Sequence, residues 1–135
     1  MIIALTDGID AGSTIGSQAV LDAARYAEGV LHLVLLADRS GFKYPVQYWL
    51  PTGADPDGQE RLKEAARLTG GQVHTQILLA NVVGYFQRAF SDFRQSYVLR
   101  YTPTGVTRDG WHEVKVEVPG HPRATIRARK GYFGG

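Results

Sequence analysis

The sequence predicts an α/β fold: parallel strands flanked by helices, followed by a C-terminal antiparallel β meander. Three observations carry this. A short apolar run at residues 2–5 and a nearly all-apolar run at residues 30–36 read as strands buried on both faces. Stretches of 3.6-residue periodicity separate the early strands, as in βαβ units. After residue 96 the period changes to two, with short Pro/Gly turns between the alternating segments.

Taken in order, Ile2, Ile3, Ala4 and Leu5 form the first strand, which runs into Leu5-Thr6-Asp7-Gly8. Residues 7–16 are rich in Asp, Gly, Ser and Thr and form a loop. A helix starts near Ser17, with Ala19, Val20, Ala23, Ala24 and Ala27 on one stripe and Gly29 as its stop. Residues 30–36 give a second strand, parallel to the first. A long connection over 37–56 contains three X-Pro pairs and the aromatics Phe42, Tyr48 and Trp49. These aromatics either tuck over the core or form a recognition surface.

Asp57 and Glu60 have the spacing of a capping box, opening a second helix lined by Leu62, Ala65, Ala66 and Leu68. Gly70-Gly71 ends it, and residues 72–76 form a short, polar third strand near a sheet edge. Asn81 caps a third helix, whose stripe of Val82, Phe86, Phe90, Phe93 and Tyr97 is expected to pack into the core. Strands are then expected at 97–101, 112–118 and 124–129. Pairing Val116 with Ile126 would set Glu113 opposite Arg129 and Glu117 diagonal to Arg127, so the local basicity needs no ligand. The expected organisation is an α/β domain over 1–96 and an antiparallel meander with a tail over 97–135.

Composition narrows the function. The 135 residues are 44% hydrophobic, enough for a core, and the formal charge is only +2, which does not favour nucleic acid. There is no cysteine, so disulfides, thiolate catalysis and Cys-ligated zinc are excluded. Asp7 interrupts the first apolar run, so no signal peptide is read there, and no run approaches the roughly 20 apolar residues of a membrane span. Neither Gly-x-Gly-x-x-Gly nor a Walker phosphate loop occurs. His32, His74, His112 and His121 have no Ser, Cys or carboxylate partner at a telling spacing.

The leading candidate site residue is Asp7, a carboxylate at the end of a parallel strand, where α/β sheets bind ligands. Thr6, Asp10, Ser13, Thr14 and Ser17 are companion oxygens for a divalent cation. The plainer reading makes Asp7-Gly8 a turn and Ser17 a helix cap.

At Ile2-Ile3-Ala4-Leu5-Thr6-Asp7-Gly8-Ile9-Asp10 and Val20-Leu21-Asp22-Ala23-Ala24-Arg25 the chain resembles the second half of a von Willebrand factor type A domain. More narrowly, it resembles the bacterial VWFA-related proteins first grouped in Acidobacteria. Leu68-Thr69-Gly70-Gly71, the run Phe93-Arg94-Gln95-Ser96-Tyr97-Val98-Leu99-Arg100-Tyr101-Thr102-Pro103 and the ending Ile126-Arg127-Ala128-Arg129-Lys130-Gly131-Tyr132-Phe133 extend the likeness. The resemblance implies a partial Rossmann-like fold used for protein binding and adhesion rather than catalysis, in a secreted, periplasmic or cell-surface setting. It also implies a metal-ion-dependent adhesion site, of which only Asp7 matches here. The Asp-x-Ser-x-Ser run and the threonine of such a site would lie before residue 1, and Asp10-Ala11-Gly12-Ser13 does not replace them.

Alone, the chain is therefore expected to bind metal weakly or not at all, with Mg²⁺ reserved for a complete parent domain. Its first strand is expected to leave an open edge at residues 2–5, covered by a second copy, a swapped element or an absent N-terminal half. The alternatives are a metal-assisted hydrolase using Asp7 with a nearby histidine, and a structural piece of a larger surface protein.

Overall fold

The computed structural model describes residues 1–8, 13–36, 55, 57–76, 81–107, 109–121 and 123–134. The aromatic loop with Phe42, Tyr48 and Trp49, and the loop residue Asp10, lie outside them.

Strand β1 (Ile2–Thr6) leads to helix α1 (Ser17–Tyr26), strand β2 (Leu31–Leu36), helix α2 (Gly58–Leu68), strand β3 (Val73–Gln76) and helix α3 (Val82–Arg94). The three strands form one parallel sheet in the order β1-β2-β3. β2 is central because it is the most apolar, its middle four residues all buried. Among the described strands β3 stands at the edge, as its polarity predicts. The antiparallel part is a separate two-stranded ribbon of β4 (Gly110–Glu113) and β5 (Gly131–Gly134).

Alternation along β2 sends Leu31, Leu33 and Leu35 to one face and His32 and Val34 to the other. On the first face Leu33, Leu35 and Ala66 form the core, flanked by Ala4, Leu31, Leu62 and Val73. Ala65 and Ala66 are fully buried, so α2 rides close to the sheet, and α1 packs beside α2. The Gly70-Gly71 turn makes that approach possible. Gly70 has φ +82°, and a Cβ there would lie 2.7 Å from the Ala128 carbonyl carbon. A Cβ on Gly71 would fall on the Leu31 carbonyl.

The helix boundaries follow the sequence, but the caps do not. Asp57 and Asn81 occupy N-cap positions without a side-chain capping bond. Arg61 draws the Asp57 carboxylate (3.3 Å) and Lys63 draws Glu60 (2.5 Å), so the capping box does not close. Ser17 is the first helical residue, behind Gly16 as N-cap. The C-terminus of α1 is capped from afar: the Arg129 guanidinium donates to the Arg25 and Ala27 carbonyls, and also to that of Gly131.

Three further expectations are corrected. The stripe on α3 is not core: Ala89 is its only buried residue, while Phe90 and Phe93 are about half exposed and Tyr97 is 91% exposed. The helix instead turns Tyr85, Ala89 and Asp92 toward the sheet, roughly a quarter turn from the aromatic stripe.

Second, residues 97–101 and 124–129 form no strand, so the meander reduces to the β4–β5 ribbon. The ribbon sits where aromatic packing anchors it. Trp111 and Tyr26 of α1 both meet Phe133, with ring centroids 6.1 and 4.8 Å apart respectively.

Third, the ribbon's register slips by two residues from the expected one. His112 faces Tyr132 and Glu113 faces Gly131, and the Val114 N–H continues the pattern to the Lys130 carbonyl at 2.9 Å. Glu113 and Arg129 are therefore not opposite one another. Arg127 pairs with Asp92 of α3 at 2.8 Å, and Glu117 pairs with Lys115 at 2.5 Å. Contacts cross the position between residues 96 and 97, since the Lys130 N–H also donates to the Leu68 carbonyl.

Candidate functional site

Both crossovers of the parallel sheet bring a helix N-terminus to the carboxyl end of the strands. Asp7 and Gly8 follow β1 there, and α2 opens beside them. The Gly8 N–H donates to Thr6 Oγ1 at 2.9 Å, which shapes the turn. Gln59, in the first turn of α2, donates its amide to the Asp7 carbonyl at 2.8 Å. The Asp7 side chain is exposed to solvent, on a backbone held from two sides.

Next to this turn lies a network that sequence spacing did not reveal. The Ser17 hydroxyl donates to the Asp55 carboxylate, and Arg61 reaches both Asp55 oxygens at 2.8 and 3.0 Å. The Asp57 N–H adds a bond to Asp55 at 3.0 Å. The Ser17 hydroxyl, together with this N–H and the Arg61 guanidinium, holds the Asp55 carboxyl below its ordinary value. Ser17 and Asp55 are thereby committed to joining α1 with α2. Their separation of 38 residues gave no local signal for the pairing.

Among the described residues no group of three or more His, Asp or Glu side chains is placed to hold a metal ion. Ser17, named as a companion oxygen for Asp7, spends its hydroxyl on Asp55.

The structure does not bring Asp7 and a histidine together. His32 pairs with Ile3, four residues before Asp7, or about 13 Å along the strand. His74 lies level with Leu5 but two strands across, about 10 Å to the side. His112 faces Tyr132 in the ribbon, with ring centroids 5.1 Å apart, and His121 is exposed in the turn that follows.

The histidines of the sheet instead lie on its α3 face. His74 Nε2 lies 2.9 Å from Gln72 Oε1, and its ring is 4.6 Å from that of Tyr85. Gln72 donates to Asp92 at 3.0 Å. Burial pushes both His32 and His74 below the ordinary imidazole value.

Among the described residues no helix is long and apolar enough to cross a membrane. No family model matches the sequence, and neither the curated proteins nor the solved structures searched gave a match.

Proposed function

We propose that the chain is a non-enzymatic, adhesion-type binding module. It engages a protein along β1, through the open edge of the strand and the Asp7 turn at its end. The observation that carries this reading is the coincidence of the two features on one strand. Asp7 stands exposed on a backbone fixed by Gln59 and Thr6, as a recognition group requires. Among the described residues the same strand pairs only with β2, and Ile2 and Leu5 are 58% and 44% exposed. An unpaired edge beside exposed apolar groups favours strand addition by a partner. The first candidate partner is a second copy of the chain.

Asp7 supplies one carboxylate of an incomplete metal-ion-dependent adhesion site. Mg²⁺ binding by this chain alone is accordingly weak, and a tight site would need oxygens from elsewhere. No contact between Asp7 and a histidine favours the hydrolase alternative.

Light-scattering mass tests the reading, with and without millimolar Mg²⁺, on the wild type and on Asp7→Asn. The expected result is an assembly larger than the 14.8 kDa chain, unchanged by Mg²⁺. A Mg²⁺-dependent mass lost in Asp7→Asn would make Asp7 a ligand shared between copies. A monomer in every condition would overturn self-association through the β1 edge.

A further inference from the structure

Parallel sheets usually bury apolar side chains on both faces. The α3 face departs from that rule in a way that points to a conformational device. His32 is only 6% exposed, and among the described residues its Nδ1 has no hydrogen-bond partner. His74 stands on the neighbouring strand, paired in register with Val34.

The helix above is held in part by polar and ring contacts. Tyr85 of α3 lies against the His74 ring, and Asp92 of α3 accepts from Gln72 at 3.0 Å and from Arg127 at 2.8 Å. Ala89 is the only α3 residue fully buried. On the opposite face α2 buries Gly58, Ala65 and Ala66, and it shares a core with β2.

The charges around the two imidazoles disfavour a proton on either. Burial acts first. Arg127 from the C-terminal segment repels a charge on both rings, Arg88 of α3 repels one on His74, and each added proton on His74 disfavours one on His32. The N-terminal amine acts on His32 in the same sense. Asp92 alone favours protonation, and its carboxylate is already shared between Gln72 and Arg127.

We propose that α3 is an acid-released latch: proton uptake by His32 and His74 detaches it from the sheet, while α1 and α2 stay docked. The imidazolium forms belong to the detached state, where water reaches both rings. The docked state therefore binds fewer protons once the pH falls toward the ordinary histidine value of about 6.5, and it loses ground below it. Release uncovers the His32 and Val34 side of β2.

Hydrogen exchange of the intact chain at pH 7.5 and 5.0, corrected for intrinsic rates, tests this. The α3 amides are expected to lose about tenfold or more of their protection relative to those of α1 and α2. In the double variant His32→Leu, His74→Gln the selective loss should vanish. Equal losses in all three helices, or a selective loss that persists in the double variant, would overturn the proposal. Should the variant not fold, NMR titration of the wild-type imidazoles decides. Midpoints below about 6.5 for both rings support the latch, and a midpoint at or above it for either ring refutes it.

Discussion

The two faces of the parallel sheet are built on opposite principles. Beneath α1 and α2, leucines meet small residues in a dry layer, with Leu33, Leu35 and Ala66 almost wholly buried. Beneath α3, two histidines, a glutamine and an aspartate join Val34 and Ala89, and Phe90 and Phe93 look outward while Tyr85 meets the His74 ring. One face is close-packed and apolar; on the other, burial pushes two imidazoles below their ordinary value.

The contrast is most sharply tested where the dry face is tightest. Gly71→Ala places a methyl group on the Leu31 carbonyl, and a destabilisation of about 3 kcal/mol or more is expected from urea unfolding. A loss below about 1 kcal/mol would show that the α2–β3 turn is looser than its geometry.

Arg129→Met keeps the alkyl stem and removes the donors to the Arg25, Ala27 and Gly131 carbonyls. About 2 kcal/mol should be lost, with hydrogen exchange quickening first at the C-terminal end of α1.

A smaller effect is expected from pH. The folded chain holds His32 and His74 less protonated than the unfolded chain does, because both are pushed down by burial. Their contribution is complete above about pH 6.5 and is lost as the pH falls below it, so the urea midpoint should drop between pH 7.5 and 5. His32→Leu should flatten that dependence, whereas Leu33→Ala should lower the midpoint by the same amount at either pH.

The smallest effect belongs to the outer surface of α3. Phe90→Ser removes a half-exposed ring and should change stability by no more than about 0.5 kcal/mol. A loss above about 2 kcal/mol in the monomer would place Phe90 in a packed core and erase the contrast between the faces.

The parallel half was legible in the sequence because each of its elements carries a local signature. Residues 31–36 could be little else than a buried strand, and Gly70-Gly71 marked the end of α2. The α3 stripe misled because periodicity identifies a helix without saying which flank finds a neighbour. Here Tyr85, Ala89 and Asp92 face the sheet, and Asp92 does so through Gln72 and Arg127, 20 and 35 residues away. The antiparallel part was legible as a class but not in its bounds and register, because Gly110, Gly131 and Gly134 are poor strand formers, held in place by Trp111, Phe133 and the distant Tyr26. At the candidate site, the position of Asp7 was readable from the strand-to-turn change. The Ser17–Asp55–Arg61 network was not, since only tertiary packing brings Ser17 to Asp55 and Arg61.

The reach of Arg129 also sets an order of events during synthesis. The carbonyls it serves at Arg25 and Ala27 lie 104 and 102 residues earlier in the chain. At a translation rate of about 5–20 residues per second, α1 must wait about 5–20 s after it is made before its closing partner emerges. During that interval its last turn frays against solvent. A nascent chain halted before residue 129 would present this helix with an open end to any chaperone or protease at the ribosome exit.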